Sequence, residues 1–147
     1  MSQESYQVRF EWGHAGAASA GADCDAVVWV DQVGSSDRPV DAMAGTLETA
    51  ADLGAWALAR QQSAQGGRFR IAVIAAGAER ADGSLRFAVE DLLAAGAIID
   101  AIAAVGIDHQ SPEAAAAAAA YTGLRHATGH LISASESMRE LEDTSTG

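Results

Sequence analysis

Cysteine is close to absent. Cys24 is the single thiol among 147 residues, so no disulfide can form within the chain. It has no CxxC partner, and flanking Asp23 and Asp25 raise a thiol pKa rather than lower it, which argues for a structural thiol. Aromatic residues contribute only 5% against 49% hydrophobic residues overall, much of that alanine. Such a mixture suits helices packed closely on a sheet of small residues, with Trp29 and Trp56 in the core. Basic residues are also scarce: 9 against 20 acidic ones, a net charge of −11. That balance excludes bulk neutralisation of phosphates, so neither nucleic acid nor an anionic membrane is expected as a partner. A small anion held by one local arginine stays compatible with it. No apolar run is long enough to span a bilayer, and Met1-Ser-Gln-Glu-Ser5 lacks the basic-then-apolar pattern of a signal peptide. The expectation is a soluble, cytoplasmic, single domain over residues 1–147, with a polar tail from about residue 142.

What is present alternates. Tyr6-Gln-Val-Arg-Phe-Glu-Trp12 places Tyr6, Val8, Phe10 and Trp12 on one face of a half-buried strand near a sheet edge. A short helix follows over residues 15–20. Ala26-Val-Val-Trp-Val30 and Phe69-Arg-Ile-Ala-Val-Ile74 read as strands covered on both faces, as in parallel sheets. Between them, Gly34-Ser-Ser-Asp-Arg-Pro39 carries loop signals. A helix over about 46–62 has Thr46 as candidate N-cap and a stripe of Leu47, Ala50, Leu53, Gly54, Ala57 and Leu58. Ser84 is the expected cap of a helix with Leu85, Val89, Leu92, Leu93, Gly96, Ile99 and Ala103 at helical spacing. Gly106 marks its end. Ser111-Pro-Glu113 starts another helix, with a serine cap, proline in the first turn and a carboxylate near the positive dipole end. Strands alternating with helices define an α/β layer domain.

In parallel sheets ligands collect beyond the carboxyl ends of strands. Asp31 follows the first buried strand. Gly77-Ala-Glu-Arg-Ala-Asp82 follows the second and leads to the expected helix start at Ser84, an anion site by its free amides. Carboxylates beside such a helix end are what a magnesium-assisted phosphoryl site needs. The competing reading is that Asp31 caps a turn and Asp82-Gly83 makes one. Glu90 and Asp91 lie in the same helix; one of the two is expected to be solvated, although a helix this apolar could turn Asp91 inward. His126 and His130 have the i, i+4 spacing of zinc ligands, but Gly129 interrupts their helix and no third ligand is near. Gly13-x-x-Gly16 is too short to define a phosphate loop.

Several stretches together resemble one family. They are Tyr6-Gln-Val-Arg-Phe-Glu-Trp-Gly13 with Ala15-Gly-Ala17, the strand ending in Asp31, and Ala75-Ala-Gly77 with Asp82-Gly-Ser-Leu-Arg86. Ala88-Val-Glu-Asp-Leu-Leu93, Ser111-Pro-Glu113 and Ser137-Met-Arg-Glu-Leu141 continue the match. In order and spacing they resemble actinobacterial homologues of 2-phosphosulfolactate phosphatase. The resemblance implies an α/β fold of three layers, with a mainly parallel or mixed sheet and helices on both faces, reduced relative to the family. It implies magnesium-dependent hydrolysis of a small phosphorylated, sulfonated anion. Asp31 and Asp82 would hold the Mg2+, Glu79 would serve as acid or base, and Arg139 with the Ser84 amides would hold the phosphate. Glu90 and Asp91 also stand at polar positions of the family. A metal-activated water needs no cysteine or serine nucleophile.

The chain departs from that pattern between Asp31 and Thr46, where a segment with an N-G-[ST] loop is missing. At Leu47-Glu-Thr-Ala50 a carboxylate, Glu48, replaces asparagine-containing sequence and would repel phosphate. A second expectation follows: a catalytically degenerate relative that binds a small anion or another protein. Shortening of the sheet further predicts a homodimer or higher oligomer through the strand at 6–12 and the alanine-rich face of residues 114–120. A neighbouring subunit would then lend Arg139 or the His126/His130 pair.

Overall fold

A computed structural model describes residues 2–34 and 36–146; Ser35 of the expected loop and Met1 and Gly147 at the ends lie outside the described residues. An alternating segment forms strand β1 (Val8–Trp12), apolar runs form β2 (Ala26–Val30) and β4 (Ile71–Ala75), and a short Met-Ala-Gly segment forms β3 (Met43–Gly45). Their order is β1-β4-β2-β3, and every pairing is parallel. Central β4 is buried at each of its residues, which accounts for a run with no polar side chain.

Period-two alternation splits the core. Val8, Phe10, Val28, Val30 and Val73 face helices α2 (Ala50–Ser63), α3 (Val89–Ala104) and α4 (Pro112–Leu124). Trp29, Ala72 and Ile74 face the opposite way, toward Ala17 and Ala20 of α1 (Gly13–Ala20). The domain is therefore an α/β fold in three layers, with unequal helical cover on the two faces of its sheet. The chain crosses the sheet one way with α1 on one face and returns with α2 on the other, as a common handedness of crossovers requires. Two short helices, α5 (Thr128–Ser133) and α6 (Glu136–Thr146), close the chain. Among the described residues no helix is long and apolar enough to cross a membrane.

Opposite the carboxyl edge, buried Arg9 ties the amino ends together. Its guanidinium donates to the carbonyls of Glu4 at 2.8 Å, Tyr6 at 2.9 Å and Ala20 at 3.0 Å, and pairs with Asp23. Next to that pair, burial pushes the Cys24 thiol up to about 11, as befits a structural residue.

Helix starts follow their capping chemistry where the expected cap is real. Ser111 Oγ accepts from the Ala114 amide at 3.0 Å and opens α4, and Gly106 has φ of 101° just beyond α3. Two expected starts are corrected. At Thr46 the chain first makes a 3-10 turn, Leu47–Thr49, and α2 begins at Ala50. Ser84 caps no helix. It sits in the turn of a hairpin, β5 (Ala78–Glu79) against β6 (Leu85–Arg86), and α3 starts at Val89. The turn chemistry won there. Gly83 has φ of 85°, and its amide donates to the Arg80 carbonyl at 2.9 Å, reversing the chain before a helix can start. The expected polar tail is helical too, since α6 runs to Thr146. His126 lies in a separate 3-10 turn, Arg125–Ala127, so it does not share a continuous helix with His130.

Part of what was offered for association is used within the chain. Strand β1 is an edge, as expected, but its outward backbone groups are partnered. The Val8 amide donates to the His109 carbonyl at 3.0 Å, and the Val8 carbonyl accepts from Ser111 at 2.9 Å. The Gln3 side-chain amide then imitates a strand, bonding the Phe10 amide at 3.1 Å and its carbonyl at 2.8 Å. Such an edge does not template pairing. On the alanine-rich helix, Ala114 and Ala117 are buried in the chain's own core.

That packing depends on glycine. A Cβ at Gly96 of α3 would stand 2.2 Å from the Ala117 carbonyl oxygen of α4, and one at Gly54 of α2 would stand 2.8 Å from the Ala101 oxygen of α3. The two contacts set how closely α2, α3 and α4 approach. Alanine is the better helix former by about 1 kcal/mol, yet Gly96→Ala is expected to destabilise by about 1–3 kcal/mol because backbone must move. Gly123→Ala, where a Cβ meets nothing within 4 Å, is the control and should stabilise slightly. Urea denaturation of both variants checks the pair; equal signs would refute the close-approach account.

Candidate functional site

After β1 the chain turns toward α1 on one face, whereas after neighbouring β4 it leads to α3 on the other. Loops diverging from adjacent strands open a crevice at the carboxyl edge, the usual ligand position in a parallel sheet. Here it is a cavity of about 480 Å³ with Gly13 and His14 on one side and Ala76, Gly77 and Ala78 on the other. Gly13 and Gly77 have φ of 69° and 71°, so both turns need glycine. The β5–β6 hairpin covers part of the crevice. A Cβ at Gly77 would lie 2.6 Å from Leu85 Cδ1, and one at Gly13 3.3 Å from the same atom. Leu85 thus reaches over both glycines.

Inside the crevice the His14 ring stacks on Trp29, with centroids 4.7 Å apart and planes at 36°. Trp29 Nε1 donates to Ser36 Oγ at 3.1 Å, and Ser36 Oγ donates to Asp31 Oδ2 at 2.6 Å. The first turn of α1 contains no acidic residue, and its N-cap, Trp12, makes no side-chain capping bond. Amides in that position have no partner inside their own helix.

The wall behind the crevice is organised by Asp91, in the first turn of α3 and 1% exposed. Its Oδ1 accepts from the Gln32 amide at 2.8 Å and its Oδ2 from the Gly77 amide at 2.9 Å. One carboxylate therefore holds the loops after β2 and β4 against a helix N-terminus. Burial, aided by the nearby charges of Asp31 and Glu90, outweighs the two amide donors and pushes the carboxyl up to about 8. Gln32 extends the network. Its Oε1 accepts from the Leu47 amide at 2.7 Å and its Nε2 reaches the Glu48 carboxylate at 3.1 Å. That bond holds the Glu48 carboxyl below its usual range.

The residues singled out in the sequence are dispersed over this edge. Asp31 accepts from the amides of Gly34 at 3.0 Å and Ser36 at 2.7 Å, capping its own loop. Asp82 does the same in the hairpin turn, accepting from the Ser84 amide at 2.9 Å and the Ser84 hydroxyl at 2.6 Å. The hydroxyl contact, the stronger effect, lowers its carboxyl below the ordinary range. The Ser84 amide is thus spent on Asp82, and no helix dipole stands behind it. Glu79 and Ser84 border the crevice, but Asp31 opens on a neighbouring cavity. Arg139 lies elsewhere, in a depression with Glu142 and Asp143. Glu48 lies with Asp100 and Arg125 in another, so its charge is not aimed at the crevice.

Magnesium fits this donor set poorly. Among the described residues no group of three His, Cys, Asp or Glu is placed to hold a metal ion. Both oxygens of Asp31 and Oδ1 of Asp82 are already engaged with their own loops, so the two carboxylates do not converge on a shared ion. His14 was not among the residues the sequence singled out as candidates. A histidine directly after the glycine that follows a strand was the signal available.

Replacing Asp91 by asparagine sets an amide against an N–H donor and releases one loop. We expect Asp91→Asn to cost about 1–3 kcal/mol. Because the folded carboxyl binds its proton more tightly than the ordinary value of 3.8, its stabilising contribution is complete below that value and is lost as pH rises through about 8. Denaturant titrations between those limits should show falling stability for the natural chain, and a flatter profile for Asp91→Asn. Parallel profiles would show that Asp91 is not the group responsible.

Among known proteins, no family model, curated sequence or solved structure matches this chain, so the chemistry of the crevice has to be read from its own residues.

Proposed function

We propose that the chain is a binding module for a small organic monoanion, a sulfonate or carboxylate, received in the crevice between β1 and β4. The observation that carries this reading is the position of α1. Its uncapped first turn opens on a switch-point crevice with His14 stacked on Trp29 at its side. Amides and imidazole supply donors for an acid group, and exposed Leu85 supplies apolar contact for the rest of the ligand.

Charge sets the class. Asp37 and Glu79 also border the crevice, on a chain of net charge −11. A phosphate dianion meets about twice the repulsion of a monoanion there, which favours the singly charged ligand. The phosphomonoester hydrolase implied by the resemblance requires a metal-holding set that these residues do not assemble, so binding without turnover is the better supported role. Self-association, if it accompanies that role, falls to the short β3 edge and the exposed Val40 beside it, since the β1 edge is partnered.

Calorimetric titration with a short alkyl sulfonate and with inorganic phosphate, at fixed ionic strength, tests the proposal. The sulfonate is expected to bind more tightly, and His14→Ala to weaken it about fivefold, the equivalent of one modest hydrogen bond. Phosphate release from 2-phosphosulfolactate or an aryl phosphate with magnesium, abolished by Asp31→Asn, would replace the binding reading by the hydrolase one.

A further inference from the structure

A second cavity lies on the far side of the wall made by Gly77 and Ala78. It measures about 330 Å³ and is bounded by the loop after β2, the start of α3 and helix α6. Four carboxylates line it, those of Asp31, Glu79, Glu90 and Glu140, against the single guanidinium of Arg86.

These charges are unequally satisfied. Glu140 pairs with Arg86 at 3.3 Å, and the same guanidinium reaches Glu136 at 3.1 Å and Ser137 Oγ at 3.3 Å. Asp31 is held by the Gly34 and Ser36 donors. Glu90 differs. It is 3% exposed, yet its carboxylate accepts no hydrogen bond and forms no ion pair with any described residue. No side-chain oxygen sealed from solvent lacks a partner among the described residues, so the Glu90 carboxylate opens into the cavity. A carboxylate only 3% exposed and without a protein donor is favoured by a cation beside it.

The cation has to come from outside. All 9 basic side chains of the sequence are arginines and there is no lysine, while Arg86, the arginine lining the cavity, is engaged as described. A bare divalent ion is a poor candidate, because no three carboxylates converge within ligand distance among the described residues. Donors spread along a flexible chain suit this geometry better. One ammonium would meet Glu90 in the depth and a second Glu79 at the exposed mouth, while methylenes lie along Val33 and Leu141.

We propose that this cavity is a binding site for a short alkyl diamine, anchored by Glu90. It adjoins the monoanion crevice and shares Ser36, Gly77, Ala78 and Glu79 with it, but its anchor, Glu90, lines this cavity and not the crevice.

The test is a titration of the whole chain with 1,4-diaminobutane, followed by backbone amide chemical shifts. Butanol, magnesium chloride and sodium chloride at matched ionic strength serve as controls. The expected result is saturable binding of the diamine, with the largest shifts at Glu90, Ser137 and Leu141. Glu90→Gln should weaken it at least about tenfold, and Glu113→Gln, on α4 and outside the cavity, should leave it unchanged. Butanol binding as tightly as the diamine would overturn the proposal, as would magnesium producing the same shifts at lower concentration. An unaltered affinity in folded Glu90→Gln would do so equally. Should Glu90→Gln fail to fold, the shift map of the natural chain decides, because diamine shifts centred away from α3 and α6 refute the site.

Discussion

The carboxylate of Asp91 organises the carboxyl edge of this protein. It has left water, taken a place in the first turn of α3 and accepted one backbone amide from each of two loops, at Gln32 and at Gly77. Each loop ends a central strand, so a single side chain aligns β2, β4 and α3. Through Gln32 the same network reaches Leu47 and the turn that starts α2. Without it, the Gly77 turn and the hairpin beyond it would lose their fixed position over the crevice. Holding an acid there carries an electrostatic cost, visible in its raised pKa. The two amides it receives, in a place where water could not reach them, are the return.

Around that anchor the protein separates its charges. The crevice on one side of the Gly77–Ala78 wall is bounded by the start of α1, an imidazole and an indole, with the carboxylates of Asp37 and Glu79 at its border. On the other side is the cavity with four carboxylates. Ligands of opposite sign suit the two, and the wall between them is the segment that Asp91 holds. A magnesium site would have required carboxylates to converge. Here Asp31 and Asp82 are turned back on their own loops, so the acidic composition of this edge makes structure and electrostatic field rather than a metal cage.

The layer beneath is set by contact distance. Alanine and glycine dominate the facing surfaces of α2, α3 and α4, and the helices approach until backbone oxygens touch opposing Cα positions at Gly54 and Gly96. Close approach buries much apolar surface with few large side chains, which a chain with 5% aromatics requires. The opposite face carries only α1, and its smaller cluster centres on Trp29 and Ile74.

Much of this was legible without coordinates. Apolar runs at residues 26–30 and 69–74 marked the buried strands, because a strand covered on both faces has no place for polar side chains. Ser111-Pro-Glu113 marked the start of α4, because capping is a local matter of one hydroxyl and a missing N–H. The inward turn of Asp91 was open to view as well: it shares a helical stripe with Ala94, Ala95, Ile98 and Ile102, all buried. Tertiary structure decided the rest. Local pattern allowed a helix from Ser84, but the Asp82 and Gly83 turn and the pairing of Ala78 with Arg86 made a hairpin. Proximity of Asp31, Asp82, Glu79 and Arg139 along a family pattern said nothing of where each side chain would find its donors. Capping bonds and helix starts depend on neighbours a few residues away and can be read from sequence. Which carboxylates meet, and which are left facing a cavity, depends on contacts between segments dozens of residues apart, and only the packed chain determines those.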